Sequence, residues 1–473
     1  MRVLFVASEA TPFIKSGGLA DVIGSLPLAL QNTHDCMVIL PKYKDIANAE
    51  KLEYVSQFDV WVGWRKLYCG VFKAQIENVV FYFIDNEYFF GRNGLYGYGD
   101  DYERFAFFSM AVMEMISHLQ LRPNILHLHD WQTAMIAMLY KEKYCHYKYY
   151  EDITIIFTIH NIAYQGKADP HILSDMYGLP DSLYTEGTCR HDDCLNMMKT
   201  AIIYSDEITT VSPTYAKEIL TSAYGEGLES VLQLRKENLH GIINGIDYQL
   251  FDPETNKHVS KNYTCNTVET YKVINKLNLQ KNSHLPEDTS VPCIGVVSRL
   301  TWQKGIDLIL CQIDEIIKEG IQLIILGTGD YHYERILQSM QEKYPEQIAF
   351  YQKYDDSIAD RIYAGCDMFL MPSLFEPCGL SQMMALRYGT IPIVRETGGL
   401  KDSVDAYNQY ENTGNGFRFC NYNAHEMMDT IRYAVSVYRD APDVWQELIQ
   451  NAMRTKLDWK ESSKAYSALY NRN

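Results

Sequence analysis

Residues 153–160 read Ile-Thr-Ile-Ile-Phe-Thr-Ile-His, and residues 292–299 read Pro-Cys-Ile-Gly-Val-Val-Ser-Arg. Each is a short, largely apolar run that ends in polar residues. Runs of this kind, with no clean alternation of apolar and polar positions, are buried on both faces and belong to parallel sheets. The pattern extends outward in both directions. Val3–Ala7, Ile125–His129 and Ser205–Ser212 repeat it in the first half of the chain. Gln322–Leu326, Ile348–Tyr351, Met368–Met371 and Ile391–Val394 repeat it in the second. Loop or helical patterns separate the strands, as in βαβ units.

Residues 252–292 break the rhythm, being polar and weakly patterned. A boundary near Gly245 therefore divides the chain into residues 1–244 and 245–456, two doubly wound, Rossmann-like α/β domains. Trp459–Tyr470 has apolar residues at 459, 466, 469 and 470, the spacing of an amphipathic helix. In such sheets ligands bind beyond the carboxyl ends of the strands. Two facing domains would hold a site in the cleft between them.

Composition narrows the function. The chain has 473 residues and a formal net charge of −17. This argues against binding nucleic acid or an anionic membrane surface, both of which need basic protein surface. It leaves room for a small anion held by a local cation cluster. No stretch approaches the ~18 apolar residues of a membrane span. The 11 cysteines show no CxxC and no regular spacing, so they read as reduced thiols in a cytoplasmic protein. Tyr is twice as frequent as Phe, 36 against 18, and tyrosine can both stack on sugars and hydrogen-bond them. Its ordinary use as a core and surface aromatic accounts for the count and is the favoured reading.

Three segments carry chemistry. Lys15-Ser16-Gly17-Gly18-Leu19-Ala20-Asp21 follows the first strand. Its glycines would let backbone N–H groups approach a phosphate at a helix start. The same residues also suit a plain tight turn with a surface lysine. Arg299 and Lys304, five apart after residues 292–297, can converge on one anion, Arg as a fork and Lys as a point charge. Glu376-Pro377-Cys378-Gly379-Leu380-Ser381 follows strand 368–371 and places a carboxylate for sugar hydroxyls and amides at a helix start. No histidine lies close in sequence to activate Cys378, so it reads as a buried or site-lining thiol.

Two further sites involve histidine. His127-Leu128-His129-Asp130 has the look of a metal site, but no third ligand is evident, so the reading is that no metal binds. His160 and Asn161 present an imidazole and an amide at a strand tip. The G-x-G-x-x-G fingerprint of dinucleotide enzymes is absent, and Gly327-Thr328-Gly329 is followed by His332 where the third glycine would stand. That weighs against an NAD-dependent oxidoreductase.

Taken together, KSGGLADV, YGDDYERFAFFS, HLHDW, TIHNIAYQG, INGID, GVVSRLTWQKG and SLFEPCGLSQMMALRYGTIPIVRETGGLKDSV resemble the bacterial glycogen synthase and plant starch synthase family, in order and spacing across nearly the whole chain. The resemblance implies a GT-B fold, with the terminal residues 457–473 packing back on the first domain. It also implies a retaining transfer of glucose from ADP-glucose to the non-reducing end of an α-1,4-glucan, with no cofactor and no metal. The first domain would serve the acceptor and the second the nucleotide-sugar donor.

By the same resemblance Lys15, Gly17, Gly18 and Asp21 would sit near the donor phosphates. Arg299 and Lys304 would neutralise the diphosphate, and Glu376 would bind the transferred glucose. Cys378, Gly379, Leu380 and Ser381 would line the donor site, and Tyr354 would stack near adenine. His160 would lie beside the transferred sugar, while Asp130, Asn161 and Asn244 would approach the glucose or acceptor. Ser16 and Ser381 stand where the family often has Thr, which keeps the hydroxyl. A UDP-glucose-using or sucrose-forming relative is the nearest alternative. An inactive glucan-binding protein would be expected to lack the charged residues retained here. The sequence leaves oligomeric state open.

Overall fold

The computed structural model describes residues 1–472. The chain forms two compact units, Met1–Gly245 with Trp459–Asn473, and Ile246–Asp458. Strands of the first unit are β1 (Arg2–Val6), β2 (Asp35–Pro41), β3 (Glu53–Val62), β4 (Arg65–Ile76), β5 (Val79–Asp85), β6 (Ile125–His129), β7 (Thr154–Ile159), β8 (Lys167–Ala168), β9 (Arg190–His191), β10 (Cys194–Asn196), β11 (Glu207–Thr210) and β12 (Leu239–Gly241).

The main sheet runs β12-β11-β7-β6-β1-β2-β5-β4-β3. It is parallel from β12 to β5, and β4 and β3 close the edge as an antiparallel hairpin. β8, β10 and β9 form a small separate sheet. The order reverses at β1, which lies between β2 and β6. This is the switch point where doubly wound sheets open a crevice.

The core explains why these segments are strands. Val3, Phe5, Val38, Leu40, Phe81 and Phe83 are buried in one cluster with Leu19, Ile23 and Leu26 of helix Gly18–Leu30. Helix Trp459–Tyr470 adds Trp459, Tyr466, Leu469 and Tyr470 to that cluster. Fully burying one such side chain contributes roughly 1.5–3 kcal/mol. Polar bonds hold the same helix: His34 Nε2 lies 2.8 Å from Ser467 Oγ, and Ser462 Oγ donates to the Ile243 carbonyl at 2.5 Å.

The second unit carries β13 (Cys293–Val297), β14 (Gln322–Leu326), β15 (Ile348–Tyr351), β16 (Met368–Met371), β17 (Ile391–Arg395) and β18 (Phe417–Phe419). They form one parallel sheet in the order β15-β14-β13-β16-β17-β18, so its switch point lies between β13 and β16. Within the polar segment 252–292, residues Val268–Asn282 form a 15-residue helix. Its buried side includes Lys272, Asn275, Lys276 and Gln280. Lys276 pairs with Asp367 at 2.7 Å, and Lys272 reaches the Tyr363, Ala364 and Tyr388 carbonyls at 3.1–3.2 Å. A helix whose inner face is held by hydrogen bonds carries little apolar periodicity, which is why the sequence shows no helix there.

Among the described residues, no helix is long and apolar enough to cross a membrane. All eleven cysteines are free thiols.

Candidate functional site

In the first unit the candidates follow the carboxyl ends of β1, β6, β7 and β12. After β1 the chain runs through Glu9, a residue the sequence reading passed over. Glu9 is 3% exposed, and its carboxylate accepts hydrogen bonds from the Ser16 amide and the Ser16 hydroxyl. Burial raises its pKa, against the pull of those bonds. Glu9 thus ties down the loop that presents Gly17 and Gly18 at the start of helix Gly18–Leu30. A carbon added at Gly17 would meet nothing within 4 Å, so the space before the helix is open. Lys15 pairs with Asp21 at 2.8 Å across this turn.

Asp130, after β6, holds φ 58° and ψ −179°, a conformation that costs a non-glycine residue on the order of 1–3 kcal/mol. Its Oδ1 accepts the His160 amide at 2.8 Å, which joins the tips of β6 and β7. Burial pushes the Asp130 carboxyl up to about 7, opposed by the amides of His160 and Asn161. His160 Nε2 lies 3.0 Å from His129 Nδ1. Burial pushes His160 down to about 3, so the ring is neutral. Asn161 accepts the Ala163 amide at 3.1 Å. Asn244, after β12, is 5% exposed, and its Oδ1 has no hydrogen-bond partner among the described residues. A buried carbonyl oxygen left open in this way is a ready acceptor for a sugar hydroxyl.

His127 is occupied inside the fold. Its Nδ1 lies 2.8 Å from Tyr470 Oη and its Nε2 2.7 Å from Thr158 Oγ1, so both nitrogens have partners. His127 is therefore a packing and hydrogen-bonding residue that ties β6 to the terminal helix, while His129 Nδ1 faces His160.

In the second unit the candidates follow β13, β15 and β16. Lys304 lies after β13 in a 3-10 turn, Trp302–Lys304, that ends at Gly305. Gly305 has φ +69°, and a side-chain carbon there would stand 2.1 Å from the Pro372 carbonyl. Only glycine lets this loop lie against the end of β16. That approach brings Lys304 Nζ within 2.6 Å of Glu376 Oε2. The same oxygen accepts from Ser373 Oγ at 3.0 Å, a partner that sequence spacing did not mark. Glu376 is 5% exposed. Its backbone carbonyl accepts the Gly399 amide at 3.1 Å, and at Gly398 (φ +43°) an added carbon would collide with it. The Glu376 loop is thus clamped from both sides.

Arg299 is exposed, and its side chain has no hydrogen-bond or ion-pair partner among the described residues. Cys378 is buried. Gly379 and Leu380 lead into helix Ser381–Arg387. The Gln382 amide donates to the Cys378 and Gly379 carbonyls at 3.0 and 2.9 Å, fixing that turn. The Tyr363 phenol hydrogen-bonds the Ser381 side chain. Tyr354, beyond β15, is 72% exposed.

Residues 2–234 match the family model described as the starch synthase catalytic domain, and residues 279–452 match that of glycosyl transferases group 1. Over 473 residues the chain is 48% identical to a glycogen synthase of Alkaliphilus metalliredigens, covering 99% of each chain. The chain belongs to the bacterial glycogen synthase and plant starch synthase family. A glycogen synthase of Clostridium beijerinckii is 49% identical over 474 residues, 99% of this chain and 98% of that one. Among solved structures, the catalytic domain of starch synthase IV from Arabidopsis thaliana, bound to ADP and acarbose, has a TM-score of 0.93 at 34% identity, covering 99% of this chain and 98% of that one. A sucrose-phosphate synthase from Thermosynechococcus elongatus shares the fold, with a TM-score of 0.63 at 14% identity. The glycogen and starch synthase family fold, GT-B, is the fold of this chain.

Proposed function

We propose that this chain is a glycogen synthase, transferring glucose from ADP-glucose to the non-reducing end of an α-1,4-glucan with retention of configuration. The observation that carries the reading is the buried Lys304–Glu376 pair, which joins the loops after the switch-point strands β13 and β16 of one sheet, with an exposed Arg299 on the first of those loops. Cleaving the anomeric carbon–oxygen bond leaves negative charge on a diphosphate. Lys304, held in place by Glu376, and Arg299 supply two positive charges for it, an electrostatic stabilisation of the leaving group. Glu376 Oε2 is committed to Lys304 and Ser373, and its second oxygen is left for a hydroxyl of the transferred glucose.

The second unit, Ile246–Asp458, then serves the donor through Arg299, Lys304, Glu376, the Cys378–Ser381 turn and Tyr354. The first unit serves the acceptor and the transferred sugar through Asp130, His160, Asn161 and Asn244. Within that unit Lys15, Gly17, Gly18 and Asp21 form a turn whose glycines and lysine suit a phosphate. Attack from the face of departure, within an ion pair, accounts for retention without a covalent intermediate. The two cations do the work that a divalent metal does in other glycosyltransferases. Eleven free thiols fit a cytoplasmic setting.

The test is incorporation of labelled glucose into glycogen from ADP-glucose and from UDP-glucose, each with EDTA present. Transfer from ADP-glucose in chelator supports the reading. Strict dependence on Mg²⁺ or Mn²⁺, or preference for UDP-glucose, contradicts it.

A further inference from the structure

His160 uses one ring nitrogen within the protein, and the partner of that nitrogen decides what the other can offer. His160 Nε2 lies 3.0 Å from His129 Nδ1. His129 is fully buried at the end of β6, stacked on Phe5 at 6.0 Å and 20°. His127, itself locked by Tyr470 and Thr158, packs against it with ring centroids 4.2 Å apart. The backbone N–H of His129 donates to Thr133 Oγ1 at 2.8 Å, so neither ring nor backbone is free to turn. The remaining ring nitrogen, His129 Nε2, has no hydrogen-bond partner among the described residues.

One proton lies between the two rings, and two arrangements are open. If His160 Nε2 carried it, His129 Nδ1 would be the acceptor. The proton of neutral His129 would then sit on Nε2, as a buried N–H with nothing to receive it. If His129 Nδ1 carries it, His129 Nε2 is a bare lone pair. A buried donor without an acceptor is the rarer and costlier defect. The second arrangement wins. Burial keeps both rings neutral, pushing His160 down to about 3 and His129 well below its ordinary value.

We propose that His129 is a positioning residue for the transfer reaction: its Nδ1–H donates to His160 Nε2 and so holds His160 as the Nδ1–H tautomer, a hydrogen-bond donor toward the transferred sugar. This rests on the reading of His160 as a residue that touches that sugar. The Asp130 carboxylate fixes the His160 backbone, and His129 fixes its ring.

The test is a set of variants assayed with ADP-glucose and maltotriose: His129→Leu and His129→Asn, each alone and combined with His160→Ala. Leu fills the space and donates nothing, whereas the Asn side-chain amide can donate from near the Nδ1 position. His129→Leu is expected to lower kcat by about 10–100-fold with little change in KM for the donor, the range seen when a residue that orients a functional histidine is removed. His129→Asn is expected to recover most of that loss. In the His160→Ala background, His129→Leu is expected to add no more than about a twofold loss, because the two act as one unit. Wild-type kcat in His129→Leu, equal losses in the Leu and Asn variants, or fully multiplicative losses in the double variant would overturn the proposal. If His160→Ala keeps wild-type kcat, the sugar-contact reading of His160 fails, and the role of His129 falls with it.

Should the variants not fold, long-range ¹H–¹⁵N spectra of the histidine-labelled wild-type protein read the tautomer directly. A proton on His160 Nδ1 is expected, and a proton on Nε2 overturns the proposal.

Discussion

The Lys304 ammonium stands 2.6 Å from Glu376 Oε2, with the two side chains only 17% and 7% exposed. Two sequence segments 72 residues apart meet in this pair. It persists because Gly305 lets the Lys304 turn press on Pro372 and because Gly398 and Gly399 cradle the Glu376 loop. Removing either partner should lower turnover by at least ~10²–10³-fold, the loss on deleting one preorganised charge-stabilising group. Each single alanine variant also strands a buried charge, at about 3–5 kcal/mol. The double variant Lys304→Ala/Glu376→Gln should therefore be more stable than Lys304→Ala alone while remaining inactive. Thermal melts beside kcat measurements check both statements.

Arg299 behaves differently, because it is exposed and its side chain has no partner among the described residues. Arg299→Ala should leave stability within about 0.5 kcal/mol of wild type, as for surface substitutions generally. Its effect should fall on turnover and donor affinity. Arg299→Lys should recover only part of the activity, since a point charge replaces a bidentate fork. A melt unchanged and an activity unchanged together would remove Arg299 from the site.

Asp130 should make stability depend on pH in a defined direction. Its carboxyl is raised to about 7 from an ordinary value of 3.8, so the folded chain binds this proton more tightly than the unfolded chain does. Its stabilising contribution is therefore complete below about pH 4 and is lost as pH rises through 7. Asp130→Asn keeps an oxygen for the His160 amide and abolishes the titration. The melting temperature of the variant relative to wild type should rise between pH 5 and pH 8. A constant difference across that range would refute the raised carboxyl.

The terminal helix should be indispensable to the first unit. Trp459, Tyr466, Leu469 and Tyr470 lie in its core, and Tyr470 Oη binds His127. Tyr470→Phe should cost about 1 kcal/mol, one buried hydrogen bond. Truncation after Asp458 should unfold the first unit outright, seen as loss of its melting transition.

The strands of the second unit at Gln322–Leu326, Ile348–Tyr351 and Met368–Met371 form over the residues read from the sequence. Parallel strands buried on both faces leave an unbroken apolar run, the plainest of signals. The β3–β4 hairpin leaves no apolar run in the sequence, because its strands put much of their length at the surface and show mixed exposure. Helix Val268–Asn282 was hidden by its polar inner face, and β8, β9 and β10 are only two or three residues long. Candidate site residues with their own motif stand out in the sequence, among them Lys304 and Glu376. Glu9, His129 and Ser373 could not, since each matters through a hydrogen bond to another residue that only folding brings near. In the sequence His129 shows only as half of a possible metal pair. The unpaired Nε2 that gives it meaning is a property of its burial.

The most direct test of the central claim is to follow purified protein, ADP-glucose and maltotriose in EDTA by ¹H NMR. The account predicts that the donor's anomeric signal falls while α-1,4 linkage signals rise in equal amount, with no lag as β-linked product. Loss of donor to free glucose, growth of β-linked product, or a donor left untouched until a divalent metal is added would contradict it.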